Sequence, residues 1–429
     1  MKGRYIVGVD VGTTKVCAAV ARLYKNSMEV IASGTVPSSG MRKGVVVDIE
    51  ETANSIRTAV KEAESASGVE IKAAYVGIAG SHMKCIESYG VTGIKEREVT
   101  EKDIERVIDA AGAVYVPLDR EVIQVLPAEF VLDGQDGITR PLGMSGMRLE
   151  AKVQVITASQ PVLENLERAL SRSGLKVARM VFQPVASAMA VLKEEEMQDG
   201  AVLIDLGGGT TDIALYKGGT LRAASVIPIG GLHFTNDISV GLKLPQKEAE
   251  RLKRRCGAAG RDHTEEILDA LDMSGKPVRV SAIDFSAILR ARAEELFELV
   301  RQETAKAVLL HAPLCAVLTG GGSLLKNCAE IAEKWLSLPV RCGAPERVRS
   351  PLLRDILKEP RFATAVGLLE FALNEEKVEA GGSIFSLFPG LLSSMKEKMS
   401  PGTAPKIFAA RKILAARKIF TRMHAGAGE

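Results

Sequence analysis

The chain has 429 residues, beyond the ~250–300 at which one hydrophobic core stops growing, so two or more domains are expected. Its formal net charge is +3, with acids and bases mixed along most of its length, a balance that argues against nucleic acid as a partner. Aromatic residues are scarce at 4%, and no run reaches the ~18 apolar residues that a membrane span needs. Met1-Lys2-Gly3-Arg4 leads into a core strand with an internal Asp, not into a secretory signal, so a cytoplasmic body is expected.

In chain order, residues 5–10 read as a buried strand that runs into Val11-Gly12-Thr13-Thr14-Lys15. Apolar strands follow at 16–21 and 29–36. Ile49, Ala53, Ile56 and Val60 fall at three- and four-residue spacing and predict a helix over 48–67. Residues 73–78 form another strand, ending in Ala79-Gly80-Ser81-His82. The character changes over 83–162. A helix at 100–113 is capped by Thr100 with Asp103, and strands at 122–133 and 149–157 flank a glycine-rich stretch, a pattern that reads as a small inserted αβ module. A helix at 161–173, a strand at 177–181 and a small-residue helix at 184–192 complete the first half.

The second half repeats the plan. Strands at 201–206, 213–216 and 221–227 surround Asp205-Leu206-Gly207-Gly208-Gly209-Thr210-Thr211-Asp212. Helices are expected from near Phe234 and over 245–255 and 283–307. A strand at 316–318 enters Thr319-Gly320-Gly321-Gly322-Ser323, followed by helices at 325–335 and 361–374. After Lys377, Glu379-Ala380-Gly381-Gly382 reads as a linker. On a helical wheel Ile384, Phe388, Leu391, Leu392, Met395 and Met399 share one face, with Phe385 and Leu387 adding apolar surface. Pro389 fits if Ser386 caps that helix, because first-turn N–H groups have no intrahelical partner. Beyond Pro401-Gly402 a basic segment repeats Lys-Ile-Phe/Leu-Ala-Ala-Arg. Each of its cations adds ~1 kcal/mol near an anionic leaflet, so the tail is expected to be a reversible membrane anchor.

Three glycine turns carry the chemistry: 10–14, 205–212 and 320–323. Glycine lets backbone N–H groups approach a phosphate, hydroxyls add donors, and an Asp at a strand end can hold a hydrated Mg²⁺. Two such turns about two hundred residues apart imply a nucleotide clamped between similar halves. The third precedes a predicted helix whose N-terminal N–H groups could meet a ribose or α-phosphate. Neither a Walker lysine motif nor a dinucleotide fingerprint is present. The six cysteines form no Cys-x-x-Cys pair and read as small thiols in a reducing compartment, and the five histidines lack metal-ligand spacing.

The order of Asp10-x-Gly-Thr-Thr, Gln183-Pro184-x-Ala186-x-Ala188, Asp205 to Asp212, Thr319-Gly-Gly-Gly322 and Ala363-x-x-x-Gly367 resembles the five-part signature of the actin, heat-shock chaperone and sugar-kinase superfamily. Within it, Gln124 to Gly134, Pro141 to Glu150 and Val76-Gly77-Ile78-Ala79-Gly80-Ser81-His82 are similar to the bacterial cell-division family FtsA. The resemblance implies an α/β, two-lobed actin-like (ribonuclease-H-like) ATPase fold with an inserted αβ module and a C-terminal amphipathic tail. It implies a first-lobe core over 1–82, completed by 163–195 and 352–378, and a module over 83–162 for filament contacts. It implies a second-lobe core over 196–240, completed by 310–351, and an outer subdomain over 241–309 that docks the C-terminal tail of the tubulin-like GTPase FtsZ. Linker and tail fill 379–429.

By the same resemblance Gly12, Thr13, Thr14 and Lys15 face the β- and γ-phosphates, and Gly207, Gly208, Gly209 and Thr210 form the opposite clamp. Asp10 and Asp205 hold Mg²⁺ through water, and Gly320, Gly321, Gly322 and Ser323 pass under the adenosine. Gln183 orients the attacking water; as a neutral amide it cannot deprotonate it, so hydrolysis of ATP is expected to be slow at most. Glu250 and Lys253 match ribose and adenine contacts, or else form an intrahelical salt bridge worth only ~0.2–0.5 kcal/mol. The implied role is an ATP-binding protein that polymerises with itself on the cytoplasmic face of the cell membrane at the division site. There it would contact anionic lipids, FtsZ and other division proteins. A pilus-assembly ATPase of similar fold, lacking the tail, is the alternative, with a kinase of the superfamily behind it.

Overall fold

Two apolar strands, Arg4–Val11 and Ala201–Leu206, set the plan of the molecule. Both are buried on both faces over most of their length, the usual condition for a strand inside a sheet covered by helices. The structure is a computed structural model that describes residues 4–24, 27–259, 267–346 and 357–379.

Each strand is the centre of a five-stranded sheet, and the two sheets have the same topology. The first has the order Lys176–Phe182, Ala73–Ile78, Arg4–Val11, Lys15–Leu23, Met28–Pro37. The second has the order Val340–Cys342, Cys315–Thr319, Ala201–Leu206, Thr211–Lys217, Thr220–Ile227. In both, the central strand pairs in parallel on one side and enters an antiparallel meander on the other. The register is equivalent too: Asp10 lies opposite Cys17 and Gly77, and Asp205 opposite Asp212 and Thr319.

Between the first-lobe strand Ala73–Ile78 and the helix Gln160–Arg172 lies a separate four-stranded sheet with its own core. Its order is Lys84–Gly93, Arg148–Ser159, Arg120–Leu132, Gln135–Ile138, and the helix Glu101–Gly112 packs on it. That helix starts with a reciprocal cap: Thr100 Oγ1 accepts from the Asp103 N–H, and the Asp103 carboxylate accepts from the Thr100 N–H. The module does not stand free. Its strands also pack on the second-lobe edge strand Thr220–Ile227, where Thr220 Oγ1 donates to the Ala128 carbonyl at 2.9 Å.

Two helices cross between the sheets, Gln183–Val191 and Ala363–Glu379. Small residues make the crossing close: a Cβ on Gly367 would lie 1.8 Å from the Ala186 carbonyl oxygen. The first lobe's hydrophobic cluster runs through these helices to Leu203, Ala214 and Val317 of the second sheet, so the lobes share a packed hinge.

Several elements depart from expectation. The strand Lys84–Gly93 and the hairpin Ile267–Leu271 with Pro277–Ser281 were not anticipated, because both are half-exposed and interleaved with charge or glycine. The helix expected from near Phe234 begins at Gly231. The helix expected over 325–335 starts only at Cys328; the third glycine turn itself forms a single 3₁₀ turn, Gly321–Leu324. Its N–H groups, not those of an α-helix, lie next to Gly320. The tail, with Ile384, Phe385, Leu387, Phe388, Leu391, Leu392 and Met395, lies outside the described residues. Among the described residues no helix is long and apolar enough to cross a membrane.

Candidate nucleotide site

The first two glycine turns are the same local structure in two lobes. After the central strand, Gly12 N–H donates to the Lys15 carbonyl at 3.0 Å, and Gly207 N–H donates to the Thr210 carbonyl at 3.0 Å. Each turn closes an antiparallel hairpin, so Gly12, Thr13, Thr14 and Lys15 correspond to Gly207, Gly208, Gly209 and Thr210. The turns face one another across the lobes in direct contact. A Cβ on Gly208 would lie 2.4 Å from Thr14 Cγ2, and one on Gly209 would lie 2.5 Å from Thr13 Oγ1. Glycine lets the backbone of the second turn come this near to the Thr13 and Thr14 side chains.

Behind the turns three carboxylates, Asp10, Asp205 and Asp212, sit on paired strands and are all buried. Lys15 Nζ pairs with Asp10 Oδ2 at 2.7 Å, and Gln183 Nε2 donates to Asp10 Oδ1 at 3.1 Å. Burial opposes the Lys15 charge, but Asp10, with Cys17 and Asp205 adding to it, raises the lysine's pKa. Asp205 Oδ2 accepts from Ser187 Oγ at 2.6 Å and from Thr364 Oγ1 at 3.4 Å. Burial pushes Asp205 up to about 6, with Asp10 adding to the rise. Burial, then Asp205 and Asp10, push Asp212 well above the usual carboxylate range, and its Oδ1 has no hydrogen-bond partner.

This donor set suits a magnesium nucleotide. Lys15 pairs with Asp10, while burial and the neighbouring carboxylates raise Asp205 and Asp212, a cost that a divalent cation beside them would relieve. Among the described residues no three His, Cys, Asp or Glu side chains are gathered to coordinate a metal directly. Mg²⁺ characteristically keeps several waters and binds through one or two carboxylates and the phosphates, a mode for which Asp10 and Asp205 are suited.

The third turn lies against the second lobe's central strand. Gly320 has φ +82°, and a Cβ there would lie 2.3 Å from Asp205 Oδ1. Gly321 is exposed, Gly322 packs on Leu206, and Ser323 is buried with its hydroxyl donating to the Gly320 carbonyl at 2.7 Å. Glu250 and Lys253, on the helix Gln246–Cys256, form an ion pair at 2.7 Å. Lys253 Nζ also donates to the Gly231 carbonyl at 2.8 Å and to Thr235 Oγ1 at 2.7 Å. Gly231 N–H in turn donates to the Gly207 carbonyl at 2.9 Å, so this pair is one peptide removed from the second turn. Past the end of the same helix, Ala259 N–H donates to the Lys326 carbonyl at 2.9 Å, three residues beyond the third turn. The pair is thus both an intrahelical salt bridge and a neighbour of the second glycine turn.

Ser187, Asp212, Thr235 and Thr364 were not singled out from the sequence. Asp212 carried a signal, since it ends the second glycine motif. The hydroxyl residues carried none.

Comparison with known proteins narrows this reading. A family profile for cell division protein FtsA matches residues 202–367, and one for the SHS2 domain inserted in FtsA matches residues 80–157. A cell division protein FtsA from Pseudomonas aeruginosa is 41% identical over 393 residues, spanning 90% of this chain and 94% of that relative. The chain belongs to the FtsA family. It is an actin-like cell-division protein. Among solved structures, a PilM–PilN type IV pilus biogenesis complex aligns with TM-score 0.61 at 19% identity, covering 85% of this chain and 97% of that one. MreB5 of Spiroplasma citri, bound to ADP, aligns with TM-score 0.53 at 16% identity, covering 88% and 99%. Both likenesses speak for the fold alone. The choice between a division protein and the pilus alternative rests on the sequence relatives, and it falls to FtsA.

Proposed function

We propose that the chain binds ATP with a hydrated Mg²⁺ between its two hairpin turns, and that this occupancy governs its assembly into actin-like filaments beneath the cell membrane. The observation that carries the reading is the meeting of two identical turns from opposite lobes above three buried carboxylates. Gly12, Thr13, Thr14 and Lys15 on one side and Gly207, Gly208, Gly209 and Thr210 on the other offer backbone and hydroxyl donors to phosphates. Asp10 and Asp205 orient the waters of the cation, and Asp212 supports them. Bound Mg²⁺ supplies charge neutralisation at the phosphates. Gly320 to Ser323 offer a glycine-lined backbone turn to the nucleoside, and Glu250 and Lys253 supply its ribose and adenine contacts. Gln183 is held on Asp10, a place from which its amide can orient a water without deprotonating it. Turnover is accordingly slow, and binding matters more than hydrolysis.

The outer part of the second lobe, over 241–309, is the surface proposed for the FtsZ tail. The module over 83–162 is proposed for contact with a second copy of the chain. The apolar face of Ile384, Phe388, Leu391, Leu392 and Met395, with the basic repeat after it, is proposed to anchor the filament on anionic lipid.

Two measurements test this. Asp205→Ala should abolish ATP binding in titration calorimetry, whereas unchanged affinity would refute the nucleotide cleft. Removing residues 383–429 should release the protein from anionic liposomes in a sedimentation assay and leave FtsZ unrecruited. Full retention on the liposomes would sink the anchor reading.

A further inference from the structure

The two hinge helices are built almost wholly from small packing residues, Gln183-Pro184-Val185-Ala186-Ser187-Ala188-Met189-Ala190-Val191 in one and Ala363-Thr364-Ala365-Val366-Gly367 at the start of the other. Each carries one hydroxyl residue at the crossing. Ser187 is fully buried and Thr364 nearly so. Hydroxyls lower helix propensity and cost free energy when desolvated, so a buried pair needs a partner. The partner is shared. Ser187 Oγ donates to Asp205 Oδ2 at 2.6 Å, and Ser187 Oγ and Thr364 Oγ1 are 3.0 Å apart. Ser187 has a single hydroxyl hydrogen, and Asp205 receives it. The hydrogen between the two hydroxyls therefore comes from Thr364, whose 3.0 Å approach to Ser187 is closer than its 3.4 Å approach to Asp205 Oδ2, and this gives a relay from Thr364 to Ser187 to Asp205.

This relay fixes one carboxylate oxygen and so fixes the other. With Oδ2 held by the hinge, Oδ1 points to the Gly320 turn, where a Cβ would come within 2.3 Å. The crossing itself is at Ala186 and Gly367, one residue from Ser187 and one turn from Thr364. A change in the angle between the lobes must pass through this crossing, and it carries the two hydroxyls with it.

We propose that Ser187 and Thr364 are positioning residues that orient the Asp205 carboxylate toward the hydrated Mg²⁺ of the bound nucleotide and couple that orientation to the hinge. The inference rests on the nucleotide-cleft reading and names two residues that it does not include. Neither touches the nucleotide. They act through one hydrogen-bonded carboxylate, as groups behind a metal ligand do.

The test is a Mg²⁺ titration of the full chain at saturating ATP, with ATP affinity measured separately in excess EDTA. Ser187→Ala and the isosteric Thr364→Val should raise the Mg²⁺ midpoint about 10–100-fold while leaving ATP affinity in EDTA within about twofold of the parent. Thr364→Ser keeps the hydroxyl and should restore most of the Mg²⁺ response. Unfolding midpoints without nucleotide check that each variant is folded; Thr364→Val preserves shape if Ser187→Ala does not hold. Equal losses with and without Mg²⁺, or an unchanged Mg²⁺ midpoint in a folded variant, overturn the positioning role alone. A parent protein that binds no ATP, or binds it without regard to Mg²⁺, overturns this role and the cleft reading together.

Discussion

His82 sits where the chain leaves the first lobe for the module, and neither of its ring nitrogens meets a hydrogen-bond partner. Burial, with Arg120 adding to it, pushes its pKa down to about 4. The folded protein keeps His82 neutral, whereas the unfolded chain takes up a proton near pH 6.5. Stability from this group is complete above pH 6.5 and is lost as pH falls toward 4, because acid then favours the state that binds the proton. The residue is not wholly enclosed, so a discounted loss of about 1–2 kcal/mol is expected at pH 5. His82→Phe should narrow the difference between unfolding midpoints at pH 7 and pH 5; an unchanged difference would contradict this account. His82 was visible in the sequence only as part of a motif, and nothing in a single chain shows that a ring will be buried beside an arginine. The same limit hid Ser187 and Thr364. Their shared partner is 18 and 159 residues away, and a lone hydroxyl in an alanine-rich helix reads as one more small residue. Asp10 and Asp205 were legible because strand, Asp and glycine turn lie together in the chain.

At the scale of elements, the sequence announces what is buried and periodic. The central strands and the helix Ile49–Ser67, capped by Asp48, follow from apolar runs, three- and four-residue spacing and a capping side chain. The module's edge strand Lys84–Gly93 escaped because it carries Glu87, Gly90 and Gly93 and leaves Ile86, Tyr89 and Val91 exposed. A half-wet edge gives no clean alternation to read. The hinge shows the converse, a contact legible as composition but not as geometry. The small residues of the helix at 184–192 permit close approach, and the place of closest approach is Gly367 on a helix far along the chain. A methyl group there would fall 1.8 Å from the Ala186 carbonyl, a backbone atom that cannot swing aside. Gly367→Ala should therefore push the hinge helices apart and cost about 1–3 kcal/mol as an overpacked core, with a lower unfolding midpoint and weaker ATP binding together. A midpoint equal to that of the parent would show that the crossing tolerates more space than its geometry allows.

For the whole molecule, the duplicated lobes explain the cleft, and the module bridges them. The two turns touch, so a phosphate enters between them only when the lobes part. The module belongs to the first lobe by connection, but it also grips the second. Arg222 of the second-lobe edge strand reaches Glu129 of the module at 3.3 Å, and Gln154 Nε2 donates to the Arg222 carbonyl at 2.9 Å. Glu129 is further held by Lys152 at 3.2 Å and by the Gly137 N–H at 2.9 Å, so the acceptor is fixed before Arg222 arrives. Parting the lobes must slide this contact. The module is then expected to act as a brace whose release accompanies opening, with the surface proposed for a neighbouring copy moving with the cleft. Arg222→Ala removes the ion pair and leaves Glu129 with its local partners, so the fold should persist. Hydrogen bonds to charged groups contribute about 1.5–3 kcal/mol, and losing one that holds the closed form should speed nucleotide release about tenfold. Stopped-flow displacement of a fluorescent ATP analogue measures that rate. An unaltered release rate in a folded Arg222→Ala protein would mean that the lobes part without disturbing the module, and the brace would have no part in gating the cleft.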